Sequence, residues 1–138
     1  MLSRLRREQG QDLIEFALIM PILAMLLFGI MEFGIIIFSY NTIGDAARVG
    51  ARKGVVVCSR WNSTCDLNAV REAALFVTKV AALKQDAAHL TITADPTTVI
   101  NSIQVTVRYK VDLIPGIMGR PDITLQARST MQREGYPE

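Results

Sequence analysis

Apolar residues are gathered into one long run near the start of the chain and thinned into periodic patterns after it. From Phe16 to Phe38 the only charge is Glu32. A bilayer core takes roughly 20 mostly apolar helical residues, so this run predicts a membrane-spanning helix. Residues 11–54 hold no strong breaker except Pro21 and single glycines, and predict one long helix. Pro21 leaves the carbonyl of Ala17 without its helical donor, which predicts a kink there. Beyond Phe38 the pattern turns amphipathic. Gly44, Ala47, Ala51 and Gly54 fall at i, i+3, i+7 and i+10, on a face that a neighbouring helix can approach closely. The plainer alternative is an alanine-rich stem with no partner.

Residues 55–67 read as a loop. A second helix is expected from about Asn68 to His89, with Asp66 or Asn68 as its N-cap. Val70, Ala73, Phe76, Val77, Val80, Leu83 and Ala87 keep its apolar period, with Arg71, Glu72, Lys79 and Asp86 on the other side. The period then changes to two. Leu90, Ile92 and Ala94 alternate with threonines. Ile103, Val105, Val107, Tyr109 and Val111 alternate with polar residues, and so do Ile123, Leu125 and Ala127. These are three half-buried strands. Asp95-Pro96 is expected at the first turn, and Pro115-Gly116, Gly119 and Pro121 at the second. The predicted fold is α+β: a long transmembrane helix, then a second helix packed on a small antiparallel sheet of about three strands. The expected divisions are a leader at residues 1–10, a membrane helix with its extension at 11–54, and an extracytoplasmic domain at 55–138.

Composition adds two constraints. Half of the residues are hydrophobic, which excludes a wholly disordered chain. The net charge of +2 comes from the leader, because removing Arg4, Arg6, Arg7 and Glu8 with it brings the charge to zero. No basic stripe interleaved with aromatics is present, so nucleic acid is not an expected partner. The apolar run is too long for a secretory signal core, and Ser39-Tyr40-Asn41 follows it rather than a small-residue cleavage site. A retained anchor is expected, with membrane lipid around it.

Basic residues flank the span on both sides, Arg4, Arg6 and Arg7 before it and Arg48, Arg52 and Lys53 after it, so charge alone does not orient it. Cys58 and Cys65 enclose a tight loop, as a disulfide would in an oxidising compartment. That places the C-terminal domain outside the cytoplasm; two free thiols are the alternative. Zinc is disfavoured, since His89 is the single histidine and no further cysteine exists.

The junction of leader and span reads Arg7-Glu8-Gln9-Gly10, then Gln11-Asp12-Leu13-Ile14-Glu15. A glycine closes a basic leader and a glutamate stands fifth after it. This resembles the cleavage site of type IV prepilins. Further on, Glu15-Phe16-Ala17, Pro21, Phe28-Gly29-Ile30, Glu32-Phe33-Gly34, Asn41 and Ala46-Ala47-Arg48 with Gly50-Ala51 resemble the TadE-like family, the minor pilins or pseudopilins of tight-adherence (Tad, Flp-type) pili. The resemblance covers the N-terminal part of the chain. It implies a single-pass protein of the bacterial inner membrane, with other pilin and pseudopilin subunits, a prepilin peptidase and the Tad assembly machinery as partners. It also implies cleavage between Gly10 and Gln11. Glycine leaves the backbone accessible there. The freed amine of Gln11 on one subunit is then a partner for Glu15 on another.

Glu32 lies past the middle of the span, where an unpaired carboxylate costs about 2.5–3.5 kcal/mol on insertion scales. Protonation, pairing between subunits, or reach to the outer headgroups are its three readings. No phosphate-binding glycine loop, HExxH or GxSxG is present, so neither an enzyme nor a cofactor is expected. The competing functions are an unprocessed single-pass protein whose outer domain binds a ligand or partner, and a main filament subunit.

Overall fold

A computed structural model describes residues 2–58, 65–97, 102–112 and 123–132. Helix α1 spans Leu2–Val57, α2 spans Leu67–Val80, and strands β1, β2 and β3 span Leu90–Thr97, Ser102–Val111 and Ile123–Gln132. The chain divides into two compact units, Met1–Ile35 and Ile36–Glu138. The class is α+β, as the change of period implies.

The first unit is the N-terminal part of α1. The helix continues on both sides of Pro21. From Gly10 to Ile35 nearly every side chain is exposed, including Leu13, Phe16, Ile22, Leu26 and Phe33 on different sides of the helix. A helix that is apolar all round has no solvent face. It is one membrane-anchor candidate, long and apolar enough to cross a bilayer.

The second unit is built around a three-stranded antiparallel sheet in the order β1-β2-β3. Its register puts Leu90, Tyr109 and Leu125 in one rung and Ile92, Val107 and Ala127 in the next. Both rungs present apolar side chains to one face, because side chains alternate along a strand. The core sits on that face. Ile103, Val105 and Val107 of β2 are fully buried there with Val70 and Ala74 of α2 and Ile43, Ala46 and Ala51 of α1.

Small residues allow α1 to settle closely on this core. Buried positions Ile43, Ala46, Ala47, Gly50, Ala51 and Gly54 recur at helical spacing. A Cβ on Gly50 would lie 3.2 Å from Ala74 Cβ and from Val105 Cγ1, and a Cβ on Gly54 would overlap Ile103. The expected small-residue face is therefore turned from its predicted centre. Ala47, Ala51 and Gly54 belong to it, but Gly44 has nothing within 4 Å of an added Cβ. The surfaces it meets at Gly50 and Gly54 are the chain's own α2 and β2.

α2 begins as its sequence implies. The Asp66 carboxylate accepts from the backbone N–H groups of Asn68 and Ala69 at 3.1 and 3.2 Å. It ends well short of His89. Ala82 takes φ 56°, its N–H donates to Lys79 O, and the Leu83 N–H donates to Thr78 O at 3.1 Å. This is a Schellman closure, with alanine where glycine is usual. The buried face is Val70, Ala74 and Thr78. Phe76 and Val80, expected in the core, are 68% and 71% exposed. Two apolar stripes compete on this helix, and the one with small residues fits beneath Gly50.

Asp95 and Pro96 lie within β1, paired with Gln104 and Ile103, rather than in a turn. Proline is tolerated there because β1 is an edge strand. The second expected turn, at Pro115, Gly116, Gly119 and Pro121, lies outside the described residues.

Candidate functional site

The membrane entry carries Gly10, Gln11 and Glu15, all exposed on α1. Nothing lies within 4 Å of a Cβ added at Gly10. Gln11 and Glu15 are four apart on a helix, so they share one face. Glu32 is half-buried and is engaged within the chain. Its sequence distance from Glu15 spans several turns of α1, so the two carboxylates do not form one site within a single helix.

Cys58 and Cys65 lie at bonding distance, with Cα atoms 4.3 Å apart. Cys58 is buried just after α1, and its N–H donates to Gly54 O at 2.9 Å. Cys65 immediately precedes the Asp66 cap. The bridge thus ties the end of α1 to the start of α2. Closing so short a loop stabilises by roughly 2–3 kcal/mol in the chain-entropy model.

A polar cluster lies beyond the other end of α2. The Asp86 carboxylate accepts from the His89 backbone N–H at 3.1 Å and also contacts its Nδ1. Asp112 lies 3.0 and 3.2 Å from His89 Nε2. Lys84 Nζ donates to Asp112 at 2.5 Å. That bond is the main reason the Asp112 carboxyl titrates below its ordinary value, with the charge of His89 adding to it. The same bond raises Lys84. The cluster fastens the α2–β1 connection to the end of β2. Only the Asp-x-x-His spacing of residues 86 and 89 hinted at it, since Asp112 is distant in sequence. Among the described residues, no group of three His, Cys, Asp or Glu side chains is arranged to hold a metal ion.

Beside β3 runs an open groove of about 350 Å³, lined by Tyr40, Asn41, Gly44, Asp45 and Arg48 of α1 and by Gln126, Ala127 and Arg128. Arg48 pairs with Asp45 at 3.4 Å across exposed surface, a contact of little energetic weight.

Residues 10–52 match the family model described as TadE-like protein. The match begins at Gly10 and ends within α1, so it includes Glu15 and Glu32 and none of the sheet. No curated protein and no solved structure matches the chain.

Proposed function

We propose that this TadE-like chain is a minor pilin, or pseudopilin, that assists assembly of a tight-adherence (Tad, Flp-type) type IV pilus. A prepilin peptidase matures it by cutting between Gly10 and Gln11. The observation that supports this most is the family match opening at Gly10 and running through the apolar, uncovered part of α1. In the inner membrane, lipid covers that surface; in an assembly, the helices of neighbouring pilins replace the lipid. The C-terminal domain stands on the extracytoplasmic side, where oxidising conditions keep Cys58 and Cys65 joined.

Glu15 supplies the directional element. An apolar helix has no preferred depth among other apolar helices, whereas a charge does. The amine freed on Gln11 of a neighbouring processed subunit and the carboxylate of Glu15 neutralise each other. Either one left alone in that packing costs on the order of 3–5 kcal/mol, the usual cost of breaking a buried pair. The role is structural and asks for no catalytic group.

Pilus counts by electron microscopy in a strain lacking the chain test this reading. Loss of pili, restored by the complete chain, is the expected result. Undiminished piliation without the chain refutes it.

A further inference from the structure

The two edges of the sheet are unlike and complementary. β3 is an outer strand of ten residues, paired one-to-one with β2 along its whole length. It contains no proline and no lysine, two of the devices that guard exposed edges. Its apolar row, Ile123, Leu125, Ala127 and Met131, is only half-buried, and the groove described above opens beside its middle. β1 is the other outer strand, with Thr91, Thr93 and Asp95 exposed. Asp95 and Arg128 are exposed opposite charges on opposite edges, and neither has an ion pair among the described residues.

Both outer strands are antiparallel to β2, so they run the same way. Setting Arg128 beside Asp95 of a second copy fixes the entire register. Ile123 then meets Leu90, Leu125 meets Ile92 and Ala127 meets Ala94. Thr124 meets Thr91 and Gln126 meets Thr93. Every apolar position faces an apolar one and every polar position a polar one. The ladder stops at Pro96, which has no N–H to donate.

We propose that β3 of one copy pairs in parallel with β1 of a second copy, joining two sheets edge to edge with Arg128 opposite Asp95. Ala94 of the second copy enters beside Ala127, where the open space at Gly44 leaves room. Pairing of like edges is a poorer fit. β3 against β3 runs antiparallel and offers no acidic residue to Arg128 in any register, leaving Asp95 unmatched. Because the paired edges differ, the contact is head-to-tail, and each added copy leaves one free edge of each kind unless a ring closes. The inference draws on the proposed membrane anchoring only to bring copies together at high local concentration.

Two differently tagged full-length variants, Thr91→Cys and Thr124→Cys, are co-expressed in their native membrane and oxidised. Adjacent strands lie about 4.8 Å apart, within the Cα range of a disulfide. A disulfide-linked dimer carrying both tags is expected. Asp95→Arg in the first variant should cut its yield several-fold, and Arg128→Asp added to the second should restore it. No mixed dimer, a dimer of Thr124→Cys with itself in its place, or no restoration overturns the pairing. Carbonate extraction of the same membranes reports anchoring separately. Retained protein without the mixed dimer sinks the pairing alone, and released protein that still forms it sinks the anchor alone.

Discussion

One substitution, glycine to alanine, should have three different effects at three places in α1. In a helix interior alanine is favoured over glycine by about 0.8–1 kcal/mol, so each change begins with that gain. At Gly44 a new Cβ meets nothing within 4 Å, and the gain should appear undiminished, raising stability by roughly 1 kcal/mol. At Gly50 the Cβ lies 3.2 Å from Ala74 Cβ and Val105 Cγ1 and 3.5 Å from Val70 O. Those neighbours must yield by a few tenths of an ångström, and the sum should fall near zero. At Gly54 the Cβ overlaps Ile103 Cδ1 and lies 3.1 Å from its Cγ2, and Ile103 is fully buried. Overpacking costs typically about 1–3 kcal/mol, which exceeds the helical gain. Gly54→Ala should destabilise by about 1 kcal/mol net. Urea midpoints of the detergent-solubilised full chain would rank the three. Ile103→Val removes the overlapping atom, so Gly54→Ala with Ile103→Val should lose less than the sum of the single changes. Equal effects at Gly44 and Gly54, or no relief in the double variant, would show that α1 does not present this face to the sheet.

Ala82→Gly should stabilise by about 1 kcal/mol, because alanine in the left-handed region crowds its own backbone; a thermal melt that moves down would contradict the Schellman ending of α2. Asp112 holds its proton less tightly in the folded chain than in the unfolded one. Its contribution to stability is therefore complete above the ordinary carboxylate value, about pH 3.9, and lost as pH falls through the lowered one. Lys84 is shifted the other way. Its contribution is present below the ordinary ammonium value and lost as pH rises through the raised one. Asp112→Asn should flatten both flanks of a stability–pH profile, and an unchanged acid flank would remove Asp112 as a cause. Glu15→Ala should leave the protein in the membrane fraction, since it makes the helix more apolar, yet reduce pili. Normal piliation with the variant as the sole copy would make Glu15 a helix-start residue only.

What the sequence made readable follows from where one face alone decides. β2 alternates from Ile103 to Val111, and each apolar position of that row is buried, although Ser102 and Thr106 on the polar side are buried as well. The apolar run before Phe38 is readable because an anchor answers to composition rather than to detailed packing. α2 is harder, since Phe76 and Val80 continue one apolar stripe as well as Val70 and Ala74 begin another. Only the close approach at Gly50 selects between them. Its end is invisible in sequence because neither glycine nor proline marks it; the hydrogen bonds of Ala82 and Leu83 do. Asp95-Pro96 carries a turn signal that an edge strand can absorb. The Lys84–Asp112 contact joins residues far apart in sequence and needs the fold to exist first. The Gly10–Glu15 spacing is plain in the sequence, but the chemistry proposed for it involves a peptidase and neighbouring subunits, so the shape of one chain adds little to it.

A pilin-like subunit loses its leader, so the native N-terminus shows whether this chain is processed as one. Intact mass spectrometry of protein taken from cells with an active prepilin peptidase should give a chain beginning at Gln11, and Gly10→Ala should reduce that product. A chain still beginning with Met1 in those cells would contradict processing as a pilin-like subunit.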